Sequence, residues 1–97
     1  MKVIFTKQAE NDLEQIADFI AQDNPIRALS FIQEIEKKSL AIGDMPKAFP
    51  IAPELVEFGI RRRIYQNYSI FFYIQSECVV IIRILNSAMD YTAFFES

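Results

Sequence analysis

At 97 residues, 52% of them hydrophobic and with only two glycines and four prolines, the chain can build one packed core but not two, and it is neither disordered nor low in complexity. A formal charge of −3 argues against a protein that holds nucleic acid by neutralising phosphates. One cysteine and no histidine leave neither an internal disulfide nor an ordinary zinc or transition-metal ligand set, a usage that suits a reducing cytoplasm, and no apolar run approaches the roughly 20 residues of a membrane span.

A single domain over residues 1–97 is therefore expected, with no cofactor. Met1-Lys2-Val3-Ile4-Phe5-Thr6 runs straight into a strand-like alternation and lacks the apolar core of a signal peptide. This short strand should join the main sheet of the molecule. Thr6 then reads as a helix N-cap. Ala9, Leu13, Ile16, Ala17 and Ile20 recur at helical spacing, with Glu10, Asp12, Glu14 and Asp18 largely outside that face, so the pattern predicts an amphipathic helix from about Lys7 to Gln22. Asp23-Asn24-Pro25 both ends it and starts the next one, because Asn24 is a good N-cap and Pro25 suits the first helical position. The second helix shows an apolar side of Ala28, Leu29, Phe31, Ile32, Ile35 and Ile42, and Gly43 is expected to cap its C-terminus. Two helices joined so tightly must lie antiparallel as a hairpin.

Met45 to Gly59 contains Pro46, Pro50 and Pro53 and reads as a loop, with at most one helical turn near Pro53-Glu54-Leu55-Val56. Three strand-like runs follow: Arg61–Tyr65, Tyr68–Ile74 and Cys78–Leu85. Gln66-Asn67 and Gln75-Ser76-Glu77 are too short to do anything but reverse the chain, which makes the runs an antiparallel meander. In the middle run Tyr68, Ile70, Phe72 and Ile74 share the face better suited to the core, and Ser69, Phe71, Tyr73 and Gln75 share the other. Strict alternation in the third run sets Cys78, Val80, Ile82 and Ile84 against Val79, Ile81, Arg83 and Leu85. The expected fold class is α+β in the order β-α-α-β-β-β, with the hairpin packed on one sheet face through Leu13, Ile16, Ile20, Ile32 and Ile35 against Ile70, Phe72 and Ile74. Part of the second apolar face is expected to await a partner, and the tail from Asn86 to Phe95 is too apolar to be merely solvated.

Charge is segregated along the chain. Glu10 to Glu36 holds seven acidic residues against Arg27 alone, whereas Ile60 to Leu85 holds Arg61, Arg62, Arg63 and Arg83 against Glu77. In a strand Arg61 and Arg63 share one face and Arg62 points the other way. Arg83 interrupts an apolar strand and needs a partner, either an internal carboxylate such as Asp90 or a group on a target. Tyr65, Tyr68 and Tyr73 suit core positions with satisfied hydroxyls, and Tyr91 in the tail is the more available tyrosine. Cys78 has no basic neighbour in sequence to activate it as a nucleophile.

The ordered set Thr6, Ala9, Asp12-Leu13, Ile16, Ile20, Asn24-Pro25, Ala28, Phe31, Gly59, Arg61, Tyr68, Ile70, Tyr73-Ile74, Val80 to Leu85 and Asp90 resembles the RelE/ParE superfamily of bacterial type II toxins, and its ParE branch most closely. The resemblance implies a cytoplasmic toxin neutralised in a hetero-oligomer by a cognate ParD-like antitoxin with a DNA-binding N-terminus. ParE-type members poison DNA gyrase by binding it, and RelE-type members cut mRNA on the ribosome. The segment after Arg83 offers Asn86, Ser87, Ala88, Met89 and Asp90 and no further cation, which favours a protein target over RNA. Contact candidates for target or antitoxin are Arg61, Arg63, Tyr65, Phe71, Tyr73, Arg83, Asn86, Asp90 and Tyr91, with no catalytic or metal-binding residue assigned. Two alternatives stay open: a RelE-type endoribonuclease using Arg61, Arg63, Arg83 and Tyr91, and a toxin fold that has lost toxicity. A partner for the sheet side is expected to be apolar with interspersed carboxylates facing the arginines.

Overall fold

Local signals in the chain resolve into strand β1 (Lys2–Phe5), helices α1 (Lys7–Ala21) and α2 (Pro25–Ala41), and strands β2 (Arg61–Tyr65), β3 (Tyr68–Gln75) and β4 (Cys78–Asn86). These come from a computed structural model, which describes residues 1–95. Thr6 caps α1 by accepting the Ala9 N–H at 3.1 Å, and its hydroxyl donates to the Ile82 carbonyl, fastening the start of the helix to β4. Asn24 caps α2 through the Arg27 N–H at 3.0 Å, with Pro25 in the first turn. Both caps satisfy donors that would otherwise be orphaned at a helix start. Among the described residues no helix is long and apolar enough to cross a membrane.

The sheet order is β1-β4-β3-β2. β2, β3 and β4 form the antiparallel meander, and β1 pairs in parallel with β4, matching Val3 to Val79 and Phe5 to Ile81. The hairpin covers one face, where Ala9, Ile16, Phe31 and Ile35 meet Ile70, Phe72, Val79, Ile81 and Ile84. Leu13, Ile20 and Ile32 pack at the margin of this core, whereas Ile74 is only half-buried and stands outside it. Leu29, expected on the apolar side of α2, is 66% exposed, because the buried stripe runs through Ala28, Phe31, Ile35 and Ser39 and Leu29 lies beyond its edge.

Three further expectations are corrected. Strict alternation fails in β4: Phe71 faces Arg83 while Phe72 faces Ile81, so Ile82 is the extra residue of a β-bulge. Val79, Ile81 and Ile84 therefore share the helix face, and Leu85 and Ile82 pack with Phe71 on the other. Gly43 is not a left-handed cap. It lies buried in a 3₁₀ turn, Ile42–Asp44, and a Cβ there would overlap the carbonyl oxygen of Met1, whose ammonium donates to the Gly43 carbonyl at 2.8 Å. The left-handed glycine is Gly59 (φ 66°), which ends the 3₁₀ turn Pro53–Phe58. Finally, the chain supplies much of its own second lid: Ala52, Leu55 and Ile60 from the proline-rich segment, with Tyr91 and Phe95 from the tail, enclose Phe71 and Leu85.

Candidate protein-interaction site

The arginine run is tied to the protein's own backbone. Arg61 donates to the Phe49 carbonyl at 2.7 Å, and Arg63 donates to the Lys38 carbonyl at 3.0 Å while its guanidinium lies 4.9 Å from the Phe49 ring. A guanidinium over a late carbonyl of α2 also suits the negative end of that helix. Arg62, on the opposite face, stacks 5.3 Å from the ring of Tyr91, and the Tyr91 hydroxyl donates to Glu54. Burial and then that bond hold the Tyr91 phenol above its ordinary pKa, and the same bond lowers that of Glu54. Tyr65 donates to Glu34 at 2.6 Å, and Glu34 also takes Arg27 at 2.5 Å. Arg27 first and Tyr65 second hold the Glu34 carboxyl below the usual range.

Arg83 finds its partner on α1 and not in the tail. Its Nε and Nη2 both lie 2.8 Å from the carboxylate of Asp12, and that carboxylate also accepts the Ile84 N–H at 2.9 Å. Among the described residues no strand neighbours the edge of β4 past Phe5, and Thr6 and Asp12 satisfy it with side chains instead. The bidentate pair raises the Arg83 pKa further, and Phe94 covers the guanidinium at 4.8 Å. Asp90, the anticipated partner, caps the last turn by accepting from the Thr92 N–H and hydroxyl. Sequence reasoning placed Asp12 outside the apolar face of α1, yet it is 5% exposed. Its spacing could have found it, because three residues after Ala9 and four before Ile16 put it on the buried stripe, opposite a strand arginine in need of a carboxylate.

Around the β2–β3 turn three surface clefts adjoin one another. One of about 310 Å³ is lined by Phe19, Arg27, Phe31, Gln66, Asn67 and Tyr68. A second, about 510 Å³, shares Gln66 and Asn67 and adds Ile64, Asn86, Ser87 and Ala88. A third, about 210 Å³, shares Tyr68 and Asn86 and reaches Gln15, Arg83, Met89 and Phe94. The backbone here is fixed: the Ser87 N–H donates to the Asn67 carbonyl at 2.7 Å, the Ser69 and Ser87 hydroxyls lie 2.8 Å apart, and Asn86 closes an Asx turn onto the Ala88 N–H. The walls combine aromatic rings with the carboxamides of Gln15, Gln66, Asn67 and Asn86, groups that both donate to and accept from a peptide backbone.

Of the expected contact residues, Arg83 and Asn86 are brought to this end of the molecule. Phe71 is withdrawn, since it is fully buried between Leu55, Leu85 and Tyr91 and offers no surface. Arg61, Arg63 and Tyr65 are engaged with the loop and α2, and Tyr73 is half-buried on the second face beside Val80, in a row that continues to Ile4 of β1. The four residues of the ribonuclease alternative are split: Arg61 and Arg63 stand on the face shared with Phe72 and Ile70, and Tyr91 lies against Phe71 on the other.

Comparisons with known proteins agree with this architecture. A comparison with curated proteins returned no match. A solved structure described as the chromosomal ParDE TA system from P. aeruginosa contains a chain 24% identical to this one, covering 89% of this chain and 95% of that one with a TM-score of 0.77, which bears on the fold. A family model described as "ParE toxin of type II toxin-antitoxin system, parDE" matches residues 3–91. The chain belongs to the ParE toxin family of type II toxin–antitoxin systems.

Proposed function

We propose that this ParE-type toxin works in the cytoplasm by binding a protein target, with DNA gyrase as the target that family resemblance suggests, and that a ParD-like antitoxin neutralises it in a hetero-oligomer. The observation that carries this reading is the occupancy of the cations. Arg83 is paired with Asp12, Arg61 and Arg63 are each tethered to an internal carbonyl, and no cation follows Arg83, so the three arginines are held by the protein's own groups and are not gathered around a site for an RNA phosphate. What the β2–β3 end offers is aromatic surface and carboxamides, which suit a protein segment. On this reading Asn86, Asp90 and Tyr91 meet the target. The half-covered row Ile4, Val80 and Tyr73, beside the outer edge of β1, is where an antitoxin strand or helix would settle.

Two assays on the purified chain separate the alternatives: supercoiling by gyrase, and mRNA integrity in a translating extract. Inhibited supercoiling with intact mRNA is the expected result. Codon-positioned cuts with supercoiling untouched would favour the ribonuclease, and no effect in either assay, with no growth arrest on expression, would leave a fold without toxicity.

A further inference from the structure

The margin of β2 on the helix side gathers cations that nothing in the chain neutralises. Arg61 and Arg63 each spend a guanidinium N–H on a carbonyl, that of Phe49 and that of Lys38, which fixes the side chain without cancelling its charge. Arg63 lies 4.9 Å from the Phe49 ring, and the Lys38 ammonium lies 5.8 Å from the ring of Tyr65. Lys47 stands exposed two residues before Phe49, on the 3₁₀ turn Pro46–Ala48. The ion pairs of the described residues are Arg27 with Glu34 and Arg83 with Asp12, so these four cations have no carboxylate partner. Glu34, one turn before Lys38 on α2, is already shared by Arg27 and Tyr65. In a chain of formal charge −3 this is a local field of the opposite sign. The backbone beside it is also open. Ile51 bridges to Arg61 and the Pro50 carbonyl takes the Arg62 N–H, but past Arg62 no strand neighbours the outer edge of β2 among the described residues.

We propose that this margin binds an acidic, extended segment of a partner protein, which runs along the open edge of β2 with carboxylates at alternate positions on Arg61 and Arg63 and flanking ones on Lys38 and Lys47. Spacing selects an extended occupant. Arg61 and Arg63 are two apart on a strand, about 7 Å, which is the repeat of same-side residues in any other strand, whereas carboxylates on a helix share a face only three or four residues apart. The edge past Arg62 offers such a segment main-chain partners as well. Protein is favoured over single-stranded nucleic acid because the rings of Phe49 and Tyr65 are half-buried and already carry Arg63 and Lys38, which makes them poor platforms for stacked bases. Arg83 takes no part, since Asp12 neutralises it. This surface shares no residue with the β2–β3 clefts, the tail or the row Ile4, Val80 and Tyr73, so its fate does not decide the target of the toxin.

The test titrates the full chain, isotopically labelled, with a peptide that alternates glutamate with threonine and valine, with the same peptide carrying glutamine for glutamate, and with a single-stranded DNA oligonucleotide of equal charge. The acidic peptide is expected to shift the amide resonances from Arg61 to Tyr65 and the guanidinium resonances of Arg61 and Arg63, and the glutamine peptide to leave them in place. Lys38→Gln combined with Lys47→Gln is expected to weaken the acidic peptide by about tenfold at low salt and to flatten its salt dependence. Lys38→Arg with Lys47→Arg keeps the charge and is expected to bind as the parent does, which separates a lost charge from a disturbed fold. Equal shifts from the glutamine peptide, shifts confined to other surfaces, or a salt slope unchanged in the glutamine variant would each overturn the proposal. So would tighter binding of the oligonucleotide than of the acidic peptide, which would make a nucleic acid the occupant.

Discussion

Asp12→Ala should be among the most damaging single substitutions outside the apolar core. The Asp12 side chain is 6% exposed and serves three donors: Arg83 Nε, Arg83 Nη2 and the Ile84 N–H. Removing one side of a buried ion pair costs about 3–5 kcal/mol, mostly for the charge left stranded. The Arg83 side chain keeps 19% exposure and so regains some hydration, which brings the loss to the lower end, about 3 kcal/mol. The orphaned Ile84 N–H adds about 1 kcal/mol, for a total near 4 kcal/mol, a large part of the stability of a domain this size. Urea denaturation followed by circular dichroism measures it, and a double-mutant cycle with Arg83→Ala isolates the pair. A coupling of about 2–3 kcal/mol is expected. A coupling below about 0.5 kcal/mol, or a loss below about 1 kcal/mol for Asp12→Ala alone, would refute the view that this carboxylate replaces a missing strand on the edge of β4.

Phe72→Ala should cost about 3–5 kcal/mol, since Phe72 is fully buried under the hairpin and edge-on to Phe49; a loss under about 1 kcal/mol in the same denaturation assay would reverse the face assignment of β3. Gly43→Ala should destabilise by about 1–3 kcal/mol or more, because its methyl collides with the Met1 backbone, and amide exchange in β1 should accelerate selectively. Glu34 and Glu54 have folded pKa values below their ordinary ones through hydrogen bonds from Arg27 and Tyr91 respectively, so each contributes stability above the unfolded carboxylate pKa that is lost as pH falls through the folded value. Thermal midpoints should therefore hold level from neutral pH down to about pH 5 and decline below about pH 4.3, with a shallower acid limb in Glu34→Gln; an acid limb unaltered by that change would contradict the assignment.

What the sequence disclosed follows the range of the interactions involved. Thr6 and Asn24-Pro25 declare helix starts because capping is settled within three residues, and the core face of β3 is legible because Ile70 and Phe72 alternate with Ser69 on a strand of uniform pitch. The bulge at Ile82 was hidden because every residue from Val79 to Leu85 except Arg83 is apolar, so a slip of one residue leaves no mark in the composition. The face-sharing of Arg61 and Arg63 was readable, but their acceptors are backbone carbonyls of Phe49 and Lys38, and no residue type announces a carbonyl that will be left free by a 3₁₀ turn or a helix end. The cover over Phe71 was half legible: the tail is too apolar to be merely solvated, but nothing in its composition says that Tyr91 and Phe95 fold back onto Phe71 instead of meeting a partner.

The parallel seat of β1 against β4 also sets a clock. Thr6 and Ile82, which hydrogen-bond to each other, are 76 residues apart, so at a synthesis rate of about 5–20 residues per second the first strand waits several seconds for its sheet neighbour β4 to be made. Until then the hairpin has no β4 to rest on, and Asp12 has no arginine. Long-range closure of this kind makes folding a late, all-at-once event. Any surface that depends on the finished sheet, the second face around Phe71 included, therefore comes into being only after β4 has been made.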